Sequence, residues 1–302
     1  MSKKFTGMIE LPSGFEDYEL IDAGGGEKLE MWGGVKVIRP DPQAFWPKAY
    51  KWEKPDMHYH RSKSGGGKWE VFKENLPASW VIGYQDLKFN VRPTGFKHMG
   101  LFPEQAVNWR RYNDFNLPGA KILNLFAYTG GATLACLSGG AEVTHVDAAK
   151  SMNAWAKDNI ALAGLAGKKH RILTDDCLKF VQREARRGNA YDGIIMDPPA
   201  YGRGPDGKMW KLEENLYELV SSCMGILSNN PLFVQINAYT AGFSPYAFSN
   251  ILDIAAKKRG LGGGTACGEI GLAAASGAVL PCGIYAAWSI RDTCGKKDSR
   301  IK

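Results

Sequence analysis

Lys121-Ile122-Leu123-Asn124-Leu125-Phe126-Ala127-Tyr128-Thr129-Gly130-Gly131 is the stretch from which the fold is read. Apolar residues of strand type run into a tight glycine turn, and helix-forming sequence follows, so a buried strand passes to a helix through a turn. Glycine lets a ligand come up against the main chain without a Cβ in the way, and the start of the next helix offers free N–H groups. Open α/β sheets bind ligands at this carboxyl end of their strands. Taken alone, the turn is a weak signal, with a plain strand-to-helix connection as the lesser alternative.

Downstream the same alternation recurs. Apolar strands are expected at Glu142 to Val146, Arg171 to Thr174, Gly193 to Met196 and Leu232 to Ile236, with helical spacing at Ser151 to Leu162, Leu178 to Arg187, Leu212 to Leu227 and Ala247 to Lys258. Strands alternating with helices mean parallel βαβ units with right-handed crossovers. The Gly262-Gly263-Gly264 turn and two apolar stretches, Thr265 to Ile270 and Val279 to Trp288, read as a closing hairpin. Upstream, residues 1–95 are interrupted by turn signals such as Ala23-Gly24-Gly25-Gly26-Glu27 and Trp32-Gly33-Gly34-Val35, leaving no room for long helices. Val35 to Arg39 and Trp80 to Tyr84 carry strand-type residues. The expected organisation is a small antiparallel β domain over 1–95 that binds substrate, then a catalytic α/β domain over 96–302. The connector, 96–118, ends in a Leu117-Pro118-Gly119 turn.

Three further positions carry chemistry. Asp147 closes the second α/β strand, about 20 residues beyond the glycine turn, where a carboxylate can accept both hydroxyls of a ribose. Turn and carboxylate together indicate an adenosine-type ligand, although Asp is also a favoured helix cap and the two roles can coexist. Asp176, after the third strand, can receive an adenine amino group, again with capping as the plain alternative. Asp197-Pro198-Pro199-Ala200-Tyr201 follows the fourth strand. Its two prolines stiffen the loop, and the Asp197 carboxylate with neighbouring carbonyls can align an acceptor atom. Tyr201 is a candidate stacking platform for a planar ring, or else a loop aromatic packed on its own domain.

Asn124 to Gly131, His145-Val146-Asp147-Ala148-Ala149-Lys150, Asp175-Asp176-Cys177-Leu178-Lys179-Phe180 and Asp197 to Tyr201 together resemble the class I S-adenosylmethionine-dependent methyltransferases, closest to the bacterial large-subunit ribosomal RNA methyltransferases. The resemblance runs from about Gly95 to Trp288. It includes Gly100-Leu101-Phe102-Pro103-Glu104-Gln105, which is similar to that family's segment leading into the catalytic domain. It implies a Rossmann-like, doubly wound seven-stranded sheet ordered 3-2-1-4-5-7-6 with its last pair antiparallel, and S-adenosylmethionine as cofactor. By match, Phe126, Ala127, Tyr128, Thr129, Gly130 and Gly131, with Gln105, would border the methionine part, Asp147 and Ala148 the ribose, and Asp176 and Cys177 the adenine. Asp197, Pro198, Pro199 and Tyr201 would surround the reacting centre.

One departure bears on the chemistry. Relatives that methylate cytosine C5 need an attacking thiolate, usually just after the fifth strand. Here that segment reads Ile236-Asn237-Ala238-Tyr239-Thr240, and the position after the Pro-Pro pair is Ala200. Direct transfer to a nitrogen or oxygen is therefore expected. A nicotinamide oxidoreductase is disfavoured because the turn after the first strand, Phe126 to Gly131, does not read Gly-x-Gly-x-x-Gly, and Asp197-Pro198-Pro199 is present. A methyltransferase for small molecules or protein side chains, and a silent RNA-binding relative, remain as rivals.

Composition sets the outer limits. The 302 residues with 44% hydrophobic content support a real core, and 38 Lys+Arg against 31 Asp+Glu give a net charge of +7, which favours an anionic partner such as RNA. No run approaches the roughly 20 apolar residues of a membrane span, and Met1-Ser2-Lys3-Lys4 does not open a signal peptide, so a cytoplasmic protein is expected. The six cysteines, Cys136, Cys177, Cys223, Cys267, Cys282 and Cys294, show no Cys-x-x-Cys pair and read as reduced thiols. No metal is expected, although His58 and His60 would share a strand face. Lys48 to Lys54 and His58 to Lys63 interleave cations with rings and are candidates for gripping RNA, as are Arg203 and Lys208; the plain alternative is a solvated loop over a small β core. The sequence leaves the oligomeric state open.

Overall fold

The computed structural model describes residues 4–5, 9–62, 66–203, 209–240 and 242–290. Lys63, Lys208, Cys294 and the Arg203 side chain lie outside that description. The strands of the first part are β1 (Lys4–Phe5), β2 (Tyr18–Gly24), β3 (Glu27–Trp32), β4 (Val35–Pro40), β5 (Met57–Arg61), β6 (Gly67–Val71), β7 (Trp80–Tyr84) and β8 (Leu87–Val91). Strands β2 to β6 form one sheet in chain order, antiparallel throughout except that β4 and β5 run parallel, and β7 pairs with β8 as a separate hairpin. Among the described residues no helix precedes Pro103. The connector, read from sequence as aromatic and polar, forms a 3-10 turn at Pro103–Gln105 and then α1 (Ala106–Tyr112).

The second part runs β9 (Lys121–Leu125), α2 (Gly131–Ser138), β10 (Glu142–Asp147), α3 (Lys150–Leu162), β11 (His170–Thr174), α4 (Cys177–Arg186) and β12 (Gly193–Met196). A short hairpin follows, β13 (Tyr201–Arg203) with β14 (Met209–Lys211), then α5 (Leu212–Gly225), β15 (Phe233–Ala238), α6 (Pro245–Lys258), β16 (Gly264–Ala273) and β17 (Val279–Ser289). The sheet order is β11-β10-β9-β12-β15-β17-β16, with β17 antiparallel to both neighbours, and the two-residue β1 adds parallel to β16 at the far edge. Counted from β9, this is the 3-2-1-4-5-7-6 arrangement, with β1 as an eighth strand.

Both faces of the sheet are covered, which is why β12 and β15 are buried along their whole length. Alternate residues divide between two cores. Ile122 and Ile195 pack with Trp109 of α1, Leu134 of α2 and Ile160 of α3, whereas Leu123, Ile194 and Met196 pack with Phe180 of α4, Leu216 of α5 and Leu252 of α6. The first core also takes in Tyr18, Trp32, Ile82 and Phe89, so the β-rich part and one face of the α/β sheet share one apolar interior. Hydrogen bonds fasten the same seam: Trp155 Nε1 of α3 donates to the Asn90 carbonyl at 2.8 Å, and Ser276 Oγ to Asp22 Oδ1 at 2.6 Å. No helix is long and apolar enough to cross a membrane. Cys136, Cys177, Cys223, Cys267 and Cys282 are free thiols.

Candidate active site

Strand order reverses at β9, which has β10 on one side and β12 on the other, so the connections leaving β9 and β12 diverge and open a crevice. A cavity with about 450 Å³ of empty space lies there. Its walls include Phe102, Gln105, Asn124, residues 126–129, Asp197 and Asn237.

The loop after β9 is held in an unusual shape. Phe126 (φ 53°) and Tyr128 (φ 51°) sit in the left-handed region along with Gly130 (φ 93°), which costs the two non-glycine residues on the order of 1 kcal/mol each. Partners on every side fix it. The Tyr128 amide donates to Asp147 Oδ2 at 2.8 Å, the Phe126 amide to Cys177 Sγ at 3.4 Å, Thr129 Oγ1 to the Gly100 carbonyl at 2.5 Å, and Asn159 Nδ2 to the Thr129 carbonyl at 2.9 Å. Gly131 has a packing reason beside any ligand: a Cβ there would stand 2.8 Å from the Trp109 ring.

Asp147 receives one backbone donor on each oxygen, Tyr128 and Ala149, both at 2.8 Å, so it ties the loop after β9 to the start of α3. Burial nonetheless holds its carboxyl above the usual range, against the pull of those two amides. Beneath it runs a buried chain: Asn124 Nδ2 donates to Thr133 Oγ1 (3.0 Å), Thr133 Oγ1 meets His145 Nδ1 (2.9 Å), and His145 Nε2 meets Asn153 Oδ1 (3.0 Å). Because Asn153 Oδ1 can only accept, the neutral imidazole carries its hydrogen on Nε2, and Nδ1 accepts the proton of the threonine hydroxyl. Burial pushes His145 down to about 4, so it stays neutral. Asn153 Nδ2 then donates to the Asp147 carbonyl and Thr174 Oγ1, aligning the ends of β10 and β11.

Across the cavity, Gln105 Nε2 donates to the Tyr239 hydroxyl at 2.8 Å, while Asn108 Nδ2 reaches Gln105 Oε1 at 2.7 Å and Asn237 Oδ1 at 2.9 Å. Phe102 packs against both Tyr128 and Tyr239, ring centres 5.6 and 5.2 Å apart. Asp197 differs from all of these. Among the described residues its carboxylate has no hydrogen-bond or ion-pair partner, and burial, reinforced by the Glu104 carboxylate, pushes it up to about 7.

The structure therefore gathers Gln105, Phe126, Ala127, Tyr128, Thr129, Gly131 and Asp197 around one cavity. Gly130, Asp147, Ala148, Asp176, Cys177, Pro198, Pro199 and Tyr201 stand outside its lining. Asp176 caps α4, accepting from the Lys179 amide at 2.9 Å, and Cys177 is buried beneath the Phe126 amide. Tyr201 is 66% exposed, on a hairpin whose Trp210 donates to the Pro199 carbonyl and packs on Phe126. Sequence reasoning missed Asn124, Asn108 and the Asn237–Tyr239 pair as site builders. Their signal was polar side chains inside apolar runs, which a buried position obliges to find partners.

A doubly wound sheet whose switch point holds a carboxylate without a partner among the described residues, facing a loop pinned by a carboxylate on the next strand, fits the S-adenosylmethionine-dependent class of methyl-transferring enzymes. The chain belongs to the S-adenosylmethionine-dependent methyltransferase family, whose pattern matches residues 56–217. It is similar to a solved S-adenosylmethionine-dependent methyltransferase from Agrobacterium tumefaciens, 37% identical with a TM-score of 0.90 over 96% of this chain and 95% of that one. A Streptococcus mutans structure at 16% identity (TM-score 0.71, covering 91% of this chain and 76% of that one) shares the fold. Among curated relatives, Ribosomal RNA large subunit methyltransferase K/L of Shewanella frigidimarina is 33% identical over 145 residues, 47% of this chain and 20% of that protein. The chain thus spans about a fifth of the length of such curated relatives. The protein is an S-adenosylmethionine-dependent methyltransferase, and its cavity suits that cofactor: an orphan carboxylate faces a space beside backbone that glycine leaves open.

Proposed function

We propose that this methyltransferase acts on RNA in the cytoplasm, placing a methyl group directly on a nitrogen or oxygen, with residues 96–302 catalytic and 1–95 holding the substrate. The observation that carries the reading is the orphan Asp197 carboxylate in a cavity that no thiol lines. S-adenosylmethionine, when bound, supplies a methyl group on a positively charged sulfur, already activated for displacement. What the chain must add is alignment and a place for the acceptor's proton. Asp197, poised near 7, can accept a hydrogen bond or proton from the acceptor. Pro198 and Pro199 stiffen its loop, and Tyr201 stands beyond it as a ring platform. Residues 126–131 with Gln105 take the methionine part, Asp147 and Ala148 the ribose, and Asp176 and Cys177 the adenine.

Thiolate chemistry has poor support here. Cys177 is buried with its pKa pushed well up. Cys282, on the side of Glu104 and Tyr239, is likewise kept protonated by burial and by the Glu104 carboxylate, the reverse of an activated nucleophile. The RNA reading draws on the +7 charge and on relatives named for ribosomal RNA. The test is to incubate the enzyme and labelled S-adenosylmethionine with bacterial total RNA and digest the RNA to nucleosides. One N- or O-methylated nucleoside is expected. Label found only in protein or small-molecule fractions would overturn the RNA reading, and 5-methylcytosine would overturn direct transfer.

A further inference from the structure

The cations singled out in the sequence of the β-rich part are largely occupied by its own folding. Lys48 pairs with Glu27 at 2.8 Å and lies over the Trp52 ring, Lys54 lies over Phe72, His58 meets Glu27 and His60 meets Glu70. Arg61 of those stretches, and Lys97 outside them, pair with no carboxylate among the described residues. Arg39, 5% exposed, makes a two-pronged ion pair with buried Glu30 and turns its third donor, Nη1, to the Lys97 carbonyl at 3.0 Å. Trp69 Nε1 holds the same loop by the Thr94 carbonyl at 2.8 Å, and Thr94 is bonded to the His98 carbonyl across it. Lys97 is thereby presented at a fixed place, half-buried. Its ammonium donates to the Pro40 carbonyl at 3.2 Å, and among the described residues it has no ion-pair partner.

The next residue, His98, packs its ring 5.3 Å from Phe102, which lines the cavity. The Lys97 backbone is thus one residue from a side chain that packs on the cavity wall. Exposed Arg61, at the end of β5, is also without an ion pair among the described residues, and Phe96 beside Lys97 is 66% exposed. Burial of a buried, committed ion pair such as Arg39 and Glu30 adds little net stability, so a positional role is the better account of it.

We propose that Lys97, with Arg61, holds a phosphodiester of the strand that delivers the acceptor nucleotide, while Phe96 offers a ring for a neighbouring base. The proposal rests on the RNA reading. The electrostatics agree with it: burial lowers Lys97 to about 8, with Asp41 pulling it up and the crowding of Lys28, Arg39 and Arg61 pushing it down. A phosphate there would relieve that crowding and keep the amine protonated.

The experiment is fluorescence anisotropy with a short single-stranded RNA of mixed sequence and S-adenosylhomocysteine present, across a salt series and from about pH 7 to about pH 9. Wild-type affinity should fall with salt and, as Lys97 deprotonates, with rising pH. Lys97→Met and Arg61→Ser should each weaken binding about 3- to 10-fold and flatten the log–log salt slope by roughly 0.7. Lys97→Arg, which stays charged, should abolish the pH dependence and keep the affinity. Calorimetry with S-adenosylhomocysteine, expected to be unchanged in each variant, serves as the folding control. Wild-type binding with unaltered slope and affinity in both Lys97→Met and Arg61→Ser would overturn the phosphate site and leave the RNA reading standing. No RNA binding by wild type would overturn both.

Discussion

Replacing Asp197 by Asn should make the protein more stable and less active together, and the gain should depend on pH. The carboxyl titrates near 7 instead of 3.8, first because it is buried and second because Glu104 is also acidic. Between those values the native state keeps a proton that the unfolded chain has released. Stability therefore falls as pH rises, by about 1.4 kcal/mol per unit, and the fall ends once the native carboxyl ionises. Over the whole interval this approaches about 4 kcal/mol, and water in the open cavity reduces it to about 2 kcal/mol. Asparagine carries no such proton. Urea unfolding followed by tryptophan fluorescence at about pH 5 and about pH 8.5 should show the variant's advantage over wild type growing by about 1.5 kcal/mol. Methyl transfer should be lost in the same variant. An advantage that is equal at both pH values, or that shrinks, would mean the native carboxylate ionises as freely as in water, and the argument for a poised acid at the cavity floor would fail.

Asp147→Ala should cost S-adenosylhomocysteine at least about 10-fold in affinity by calorimetry, because the Tyr128 amide loses its partner and the left-handed loop relaxes. His145, neutral and lowered to about 4, makes stability fall as pH drops from 6.5, where the unfolded imidazole takes up a proton the native one refuses; the fall should stop near pH 4, and in His145→Gln it should be absent from the unfolding curves. Trp155→Ala should destabilise the fold by about 3–5 kcal/mol, since the ring is 2% exposed, bonds Asn90 and fills the space left by Gly100; chemical denaturation measures it. Cys282→Ser should keep methyl transfer within about 2-fold of wild type in the labelled assay, as its thiol is held protonated away from the cavity lining.

The α/β half was legible because a parallel sheet covered on both faces writes itself as separate apolar runs, and each run from Lys121 to Ile236 became a strand within two residues of its expected ends. The β-rich half yields less to this reading. Its strands are short and half-exposed, as in β6 where Trp69 alone is partly covered, so periodicity predicts strand character without predicting pairing, and the parallel contact of β4 with β5 has no local signal. Helix α1 escaped because Pro103 and a run of mixed aromatics resemble a connector; what makes it a helix is the burial of Ala106 and Trp109 in the core shared with α2 and the β7–β8 hairpin, and of Val107 against Ile270 and Tyr285, a tertiary cause.

For the site, the residues visible in sequence were those at strand ends, and those hidden were the ones that make the strand ends rigid. Asp147 illustrates the difference. Spacing alone marks it as a ribose acceptor, yet both its oxygens already accept amides within the fold, so any ligand hydroxyl shares a carboxylate whose first work is to shape the 126–130 loop. Asp197 is the converse: followed by two prolines that donate nothing, it keeps its acceptor capacity because no described residue donates to it. A carboxylate saturated by backbone is a hinge pin, and one left unsatisfied at about neutral pKa is a reagent. The division of labour between the two is set by β10 and β12 lying on opposite sides of β9, so that one loop faces its neighbour and the other faces open space.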